Sequence, residues 1–333
     1  MNDAALVTGA CGFIGRHLTK ALVRRGTRVR ALVADEASAR AARAMGAEAV
    51  RGDLSDQGSL RSAVAGVRRV YHLAAQVRPL KSVYSFNGLS NIRREVNVAG
   101  TLNLASACRG RIREFMHFSS VAAVGAGPDL DENSPCRPST DYGKSKREAE
   151  IALLELFRRD RFPVKIVRPG HVYGPGNLAM LMFFKLIKLG IRPFLGNGEN
   201  HIPLCYIDDL IRMCFLIEAK GSVGDIYFAV NAPVTFRQFA GSIAKAMGRE
   251  MPARGLPAWA FKAGACVKDH AERALRLRLY PFRVECGADA VALASSDWVC
   301  RNHKIRGLGF ASAMELAQGV DRTLRWYNDN RLL

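Results

Sequence analysis

No apolar run in the sequence reaches the roughly 18 to 20 residues that a helix needs to span a bilayer, so a membrane-spanning helix is not expected. None of the eight cysteines (positions 11, 108, 136, 205, 214, 266, 286 and 300) stands in a CxxC pair. Cys205 and Cys214 lie in apolar runs, where a reduced thiol behaves as a small hydrophobe. This pattern argues for a reducing compartment and against a zinc site. The opening "MNDAALVTGACGFIG" lacks a basic leader region and enters a strand at once, so no signal peptide is expected and the expected location is the cytoplasm. Acidic residues are scarce: 30 Asp and Glu face 49 Lys and Arg, a net charge of +19. The basic residues are spread through "RRGTRVR", "RRDR" and "RLRLYPFR", with no nucleic-acid-binding motif among them. Nucleic acid is therefore not an expected partner, which leaves acidic small molecules, an anionic membrane surface or plain solubility as uses for the charge. With 49% hydrophobic residues in 333, the chain can bury a sizeable core.

What is present in the first half is an alternation of short apolar runs with helical patterns. "AALVTG" (4–9), "RVRALVA" (28–34), "AEAVRGDL" (47–54), "RRVYHLAA" (68–75), "EFMHFSS" (114–120) and "PVKIVRPG" (163–170) read as strands. Helices are expected between them, including one over about 90–110 and one from Thr140 to about Arg159. This succession predicts an α/β fold, a doubly wound parallel sheet of the Rossmann type. After Gly174 proline, glycine and polar residues cluster, which suggests a dinucleotide-binding domain over 1–175 and a smaller, mainly substrate-binding part over 176–333. Its "GDIYFAVN" (224–231) is a candidate to return to the main sheet.

"TGACGFIG" (8–15) follows the first strand and opens the first helix. Gly9, Gly12 and Gly15 permit a tight turn, close approach of backbone to a pyrophosphate and close helix–strand packing. The helix N-terminus then offers free N–H groups and positive dipole to phosphate. A second pattern is "YGKSK" (142–146), whose Tyr142 and Lys146 are four apart and share a helix face. A tyrosine with an ordinary pKa of about 10 is a poor base, but a lysine one turn away favours its phenolate.

The TGxxGxxG spacing resembles the extended branch of the short-chain dehydrogenase/reductase superfamily, the NAD-dependent epimerase/dehydratase family. The resemblance continues in order through "GDL" (52–54), "YHLAA" (71–75), "NVAGTLNL" (97–104), "FSSVAAVG" (118–125), "YGKSK", "RPGHVYGPG" (168–176) and "YIDDL" (206–210). It implies an NADP or NAD cofactor in contact with Gly9, Cys11, Gly12, Phe13, Ile14 and Gly15. Asp53 and Leu54 would flank the adenine, and Leu73, Ala74 and Ala75 would line the cofactor. Asn97 would either bond near the cofactor or tie its helix to a strand, and Pro169 and Val172 would approach the nicotinamide. Tyr142 would be the general acid/base and Lys146 its tuner and ribose anchor. Ser120, favoured over Ser119 by the family register, would hold the substrate oxygen, with Val121 and His171 beside the substrate.

Departures from the family pattern narrow the chemistry. Val33 and Ala34 stand where relatives place the aspartate that selects NAD or the arginine that selects NADP. Asp35 comes one step late and Arg40 is a candidate for a 2′-phosphate, so the reading leans slightly to NADP. Val121 and Ala122 replace the acid pair of the dehydratases, and His171 replaces the asparagine usual in sugar-nucleotide enzymes. The segment 256–283 resembles the substrate cover of 3β-hydroxysteroid-dehydrogenase-like members, and dihydroflavonol-reductase-like members are also close. Its basic helix is a candidate for peripheral membrane contact, the alternative being a packed helix with a basic outer face. The expectation is an oxidoreductase interconverting a secondary alcohol and a ketone on a fairly apolar small molecule, in a homodimer. The alternatives are a nucleotide-sugar 4-epimerase with tightly held NAD and a non-catalytic cofactor sensor.

Overall fold

The computed structural model describes residues 4–76, 94–194, 196–253 and 296–333. The cover segment 256–283 lies outside the described residues.

The first half lays down β1 (Ala4–Thr8), α1 (Phe13–Arg24), β2 (Arg28–Val33), α2 (Glu36–Ala44), β3 (Glu48–Arg51), α3 (Gln57–Val64) and β4 (Val67–His72). A single wide turn, Glu95–Ala99, leads into α4 (Gly100–Cys108) and β5 (Glu114–Phe118). A short 3-10 turn, Val121–Ala123, precedes β6 (Gly127–Leu130), α5 (Asp141–Asp160), β7 (Val164–Pro169) and β8 (His171–Tyr173). There follow α6 (Leu181–Lys188), β9 (His201–Ile202), β10 (Leu204–Tyr206), α7 (Ile207–Lys220), β11 (Ile226–Ala229), β12 (Val234–Thr235) and α8 (Phe236–Ala246). The described chain closes with β13 (Trp298–Cys300), α9 (His303–Gly307) and α10 (Leu316–Asp329).

Seven strands form one parallel sheet in the order β11-β7-β5-β4-β1-β2-β3. The edge strand β11 comes from beyond residue 175 and pairs with β7. Strand β1 shows why such a sheet is apolar throughout. Ala5 and Val7 pack into one core layer and Ala4 and Leu6 into the other, so both faces of the strand are covered. Leu18 and Leu22 of α1 and Ile207 to Ile217 of α7 pack on the first face, and Leu60 of α3, Leu104 of α4 and Leu153 of α5 on the second. The strand order reverses between β1 and β4, and a crevice at that switch point is where such sheets bind ligands.

The strands end earlier than their apolar runs suggest. β3 stops at Arg51 and β4 at His72: Gly52 and Leu73 still donate to the Val33 and Thr8 carbonyls, after which Asp53 and Leu54 bond Ser59 of α3 and Asn103 of α4, and Ala74 bonds the Thr8 side chain.

Candidate active site

The glycine loop sits at the carboxyl end of β1. Gly9 has φ +69°, and a Cβ there would come within 2.8 Å of the Ala74 nitrogen. A Cβ on Gly15 would lie 2.1 Å from the Gly9 carbonyl oxygen. Only glycine therefore lets the loop fold this tightly against Leu73–Ala74 and against itself. Helix α1 begins at Phe13 with Gly12 as its N-cap, and no side chain caps it. Its first N–H groups and its positive dipole end remain open, a site shaped for an anion. Phe13 and Ile14 are half-buried and pack on the core, while the Cys11 thiol donates to the Ser38 carbonyl at 3.3 Å and is pushed up in pKa by burial.

Beyond β2, Ala34 is exposed and Asp35 is the N-cap of α2, its carboxylate accepting from the Ser38 N–H at 2.7 Å. The capping bond holds the Asp35 carboxyl below the usual carboxylate range. Arg40, exposed on the same helix, has no hydrogen-bonding partner among the described residues. Asp53 is exposed, with its carboxylate accepting from the N–H and hydroxyl of Ser55 at 2.8 and 2.6 Å. Leu54 packs on Gly100, and its carbonyl accepts from Asn103 at 2.9 Å. Leu73, Ala74 and Ala75 are half-buried at the end of β4, facing the glycine loop.

A buried chain of hydrogen bonds joins that loop to α5. The Ala74 N–H donates to Thr8 Oγ1, which pairs with His72 Nδ1 at 2.7 Å. His72 Nε2 meets Thr101 Oγ1 at 2.8 Å, and Thr101 donates to the Asn97 carbonyl at 2.7 Å. Because the Thr101 proton is committed to Asn97, its oxygen must accept from His72, which assigns the proton of a neutral imidazole to Nε2. Burial and the Lys146 charge push His72 down to about 3, in keeping with that neutral form. The Asn97 amide bonds the Gln76 backbone on one side and Ser145 Oγ on the other, at 2.9 Å, and Ser145 donates to the Tyr142 carbonyl. Asn97 thus ties the wide turn to both the end of β4 and the start of α5.

Helix α5 carries Tyr142 and Lys146. Thr140 caps it, accepting from the Gly143 N–H at 3.0 Å. A Cβ on Gly143 would fall 2.3 Å from the Ala122 carbonyl oxygen, so this glycine lets the helix press directly on the turn that follows Ser120. Ser120 is half-buried and its Oγ accepts from the Ala122 N–H at 3.1 Å, which leaves its O–H as a donor. Farther along α5, Glu150 binds the wholly buried Arg168 of β7 through two bonds of 2.8 and 2.7 Å and holds the helix to the sheet. Lys146 is 1% exposed, and burial pushes its ammonium down to about 8.

Val121, expected beside the substrate, is buried with Val124, Phe228 and Val230, because the 3-10 turn rolls its side chain into the protein. Pro169 pairs with Ala229 in the sheet, and the Val172 carbonyl accepts from the Asn177 amide at 2.6 Å. His171 keeps accessible surface, yet desolvation lowers its pKa. Among the described residues no cluster of His, Cys, Asp and Glu could hold a metal ion, and no helix is long and apolar enough to cross a membrane.

Residues 5–231 match the NAD dependent epimerase/dehydratase family. The chain belongs to that family. Among curated members it is 29% identical over 326 residues to the 4-hydroxy-2-methyl-3-oxo-4-farnesyl-3,4-dihydroquinoline-1-oxide ketoreductase of Stigmatella aurantiaca, covering 95% of this chain and 94% of that one. It is 31% identical to sterol demethylase protein B of Methylococcus capsulatus, over 84% of each chain. The fold superposes on the dTDP-glucose 4,6-dehydratase of Streptomyces venezuelae, solved with NAD and TYD bound, with a TM-score of 0.76, 24% identity and 98% coverage of each chain. Family membership makes a nicotinamide dinucleotide the expected occupant of the glycine loop, and the cradle fits: a Cβ would fill the space at Gly9 and Gly15, and the helix end is uncapped.

Several residues of this site were not singled out by sequence reasoning. His72, Thr101 and Ser145 link its two halves, Gly143 sets its closeness, and His117 lies beneath it. "YHLAA" and "YGKSK" contained three of them, but nothing in a linear pattern says which hydroxyl meets which ring.

Proposed function

We propose that the protein is an NAD(P)-dependent oxidoreductase that interconverts a secondary alcohol and a ketone on an apolar, isoprenoid- or steroid-like small molecule. The observation that carries this reading is the seating of α5: Tyr142 and Lys146 project from one helix face while Gly143 presses that helix onto the turn after Ser120. Gly9–Gly15 and the open end of α1 would hold the pyrophosphate, and Lys146 the nicotinamide ribose. Bound there, the dinucleotide supplies or takes up hydride. Tyr142 gives the proton to, or takes it from, the substrate oxygen, and the Ser120 O–H donates to that oxygen. The Lys146 ammonium stays charged near neutrality despite its burial, and its charge favours the phenolate of Tyr142.

For the cofactor, NADP is the preferred reading. The carboxylate nearest the end of β2, that of Asp35, is engaged in capping α2, and Arg40 on that helix has no partner among the described residues. For the substrate, the two curated relatives are named for a farnesylated ketone and a sterol, and Val121 and Ala122 offer no acid pair for dehydration. His171, exposed at the start of β8, would meet the substrate's polar end. A homodimer through α4 and α5 would cover a surface groove lined by Leu102, Ala152 and Leu156 and by the charged Glu155, Arg158 and Arg159, beside the exposed Ile151.

Purified protein should oxidise NADPH steadily with at least one member of a panel of ketosteroids, prenylated ketones and flavanonols, and NADH more slowly. Interconversion of UDP-sugars without net cofactor turnover would instead establish the epimerase reading. No change of nicotinamide fluorescence with either dinucleotide would remove the cofactor assignment itself.

A further inference from the structure

Two histidines lie side by side beneath Lys146, and their hydrogen bonding differs completely. His72 and His117 are directly paired across β4 and β5, with ring centroids 5.5 Å apart and both side chains wholly buried. His72 has both nitrogens engaged, by Thr8 and Thr101. His117 has neither nitrogen engaged by any described residue. Two residues on, and therefore on the same face of the strand, the Ser119 hydroxyl is likewise buried and unpartnered. The Lys146 ammonium also has no hydrogen-bond or ion-pair partner among the described residues. The nearby carboxylate on its own helix, Glu150, is already bound to Arg168 and Arg147.

Leaving one such group dry in a protein interior is costly, and leaving the two His117 nitrogens and the Ser119 hydroxyl dry on one small patch multiplies that cost. Buried polar groups without protein partners are where ordered water resides. Of the two imidazoles only His117 has a lone pair to spare, and the groups whose charge it feels are Lys146 and His72, with no carboxylate among them. The ring is neutral and so can accept.

We propose that His117, Ser119 and Lys146 line one hydrated pocket under the active site, in which buried water bridges the Lys146 ammonium to the His117 ring, making His117 a positioning residue for the lysine. The water gives the ammonium an inward acceptor, which holds its remaining N–H groups toward the ribose and Tyr142. Ser119 completes the shell from the strand end, one residue before the hydroxyl that serves the substrate. The proposal rests on the role given to Lys146 above, but the pocket itself does not depend on any activity.

A crystal structure of the full chain at a resolution that shows water, together with NADPH titrations of wild type, His117→Phe and His117→Gln between pH 6 and 10, tests this. Ordered water within hydrogen-bond distance of both His117 and Lys146 is expected. Loss of one charge-assisted bond should weaken NADPH binding about fivefold in His117→Phe, with His117→Gln close to wild type. The decline of binding with rising pH should also move to lower pH in His117→Phe, because the charged lysine has lost support. Thermal stability of His117→Phe should fall modestly, since the buried ammonium and its water lose an acceptor. A dry pocket, or a His117→Phe protein with wild-type affinity and pH profile, would overturn the proposal. If wild type binds no dinucleotide, the functional reading fails, and the crystallographic arm still decides the pocket. Should His117→Phe not fold, Ser119→Ala with the same titration replaces it, and an unchanged water and unchanged affinity there would remove Ser119 from the shell.

Discussion

The N-termini of α1 and α5 both lie beyond the carboxyl edge of the parallel sheet, and they are finished in opposite ways. At α1 the cap is Gly12, with no side chain to accept from the first turn and no acidic residue within it. At α5 the cap is Thr140, whose hydroxyl satisfies Gly143, and Asp141 adds a negative charge to the first turn. The first end is left open for a foreign anion, and the second is completed from within. The difference teaches how the site divides its work. Backbone at α1 receives a ligand that arrives from outside, whereas α5 has to hold its own side chains still.

The largest expected effect is on the closed end. Tyr142→Phe should lower turnover by about three orders of magnitude, the range of general acid–base catalysis, while NADPH affinity measured by fluorescence stays close to wild type. Equal losses in both would mean that the two ends are not functionally separate. Next in size is Gly143→Ala, which must push α5 off the Ala122 carbonyl. A displacement near 1 Å should cost roughly 100-fold in kcat with little change in NADPH binding. Gly12→Ser would convert the open end into a capped one. Its backbone is already extended, at φ −71° and ψ 172°, and its Cβ would sit 3.3 Å from the Gly9 oxygen, tight but relievable. The apoprotein should gain a few tenths of a kcal/mol and NADPH should bind about tenfold more weakly. Unchanged affinity would sink the idea that an uncapped helix end receives the phosphate.

The smallest effect is one of pH, and it separates backbone from side chain. Activity should decline as pH rises through about 8, where Lys146 loses its proton, while ADP binding to the glycine loop stays flat. The same group acts on stability with a definite sign. Its folded pKa lies below its ordinary 10.5, so between about 8 and 10.5 the unfolded chain holds more protons, and this lysine's contribution to stability rises with pH. Calorimetry of wild type against Lys146→Met over that window would read the difference.

Much of this was legible in the sequence, for identifiable reasons. The α/β order shows because both-face burial makes a central strand a nearly continuous apolar run, as in β1. Gly9 and Gly15 are visible because close approach admits one residue type. Tyr142 and Lys146 are visible because one helical turn fixes their spacing. What could not be read were pairings between distant segments: His72 with Thr101, Asn97 with Ser145, and Gly143 against Ala122 depend on three elements meeting. Nor could the sequence show that Asp35 serves as a cap, since a carboxylate after β2 looks the same whether it faces a ribose or its own helix.

The place of β11 bears on how the chain reaches this state. The strand that finishes the sheet, Ile226–Ala229, is synthesised about 60 residues after its neighbour β7. Until it docks, β7 presents an open row of backbone donors and acceptors, the kind of edge on which other chains can add. A nascent chain or fragment ending near Gly174 would therefore carry the cofactor loop and the tyrosine yet be prone to self-association. Assembly then depends on the late segment closing the sheet, which makes this fold a slow, long-range one that gains from synthesis at low concentration.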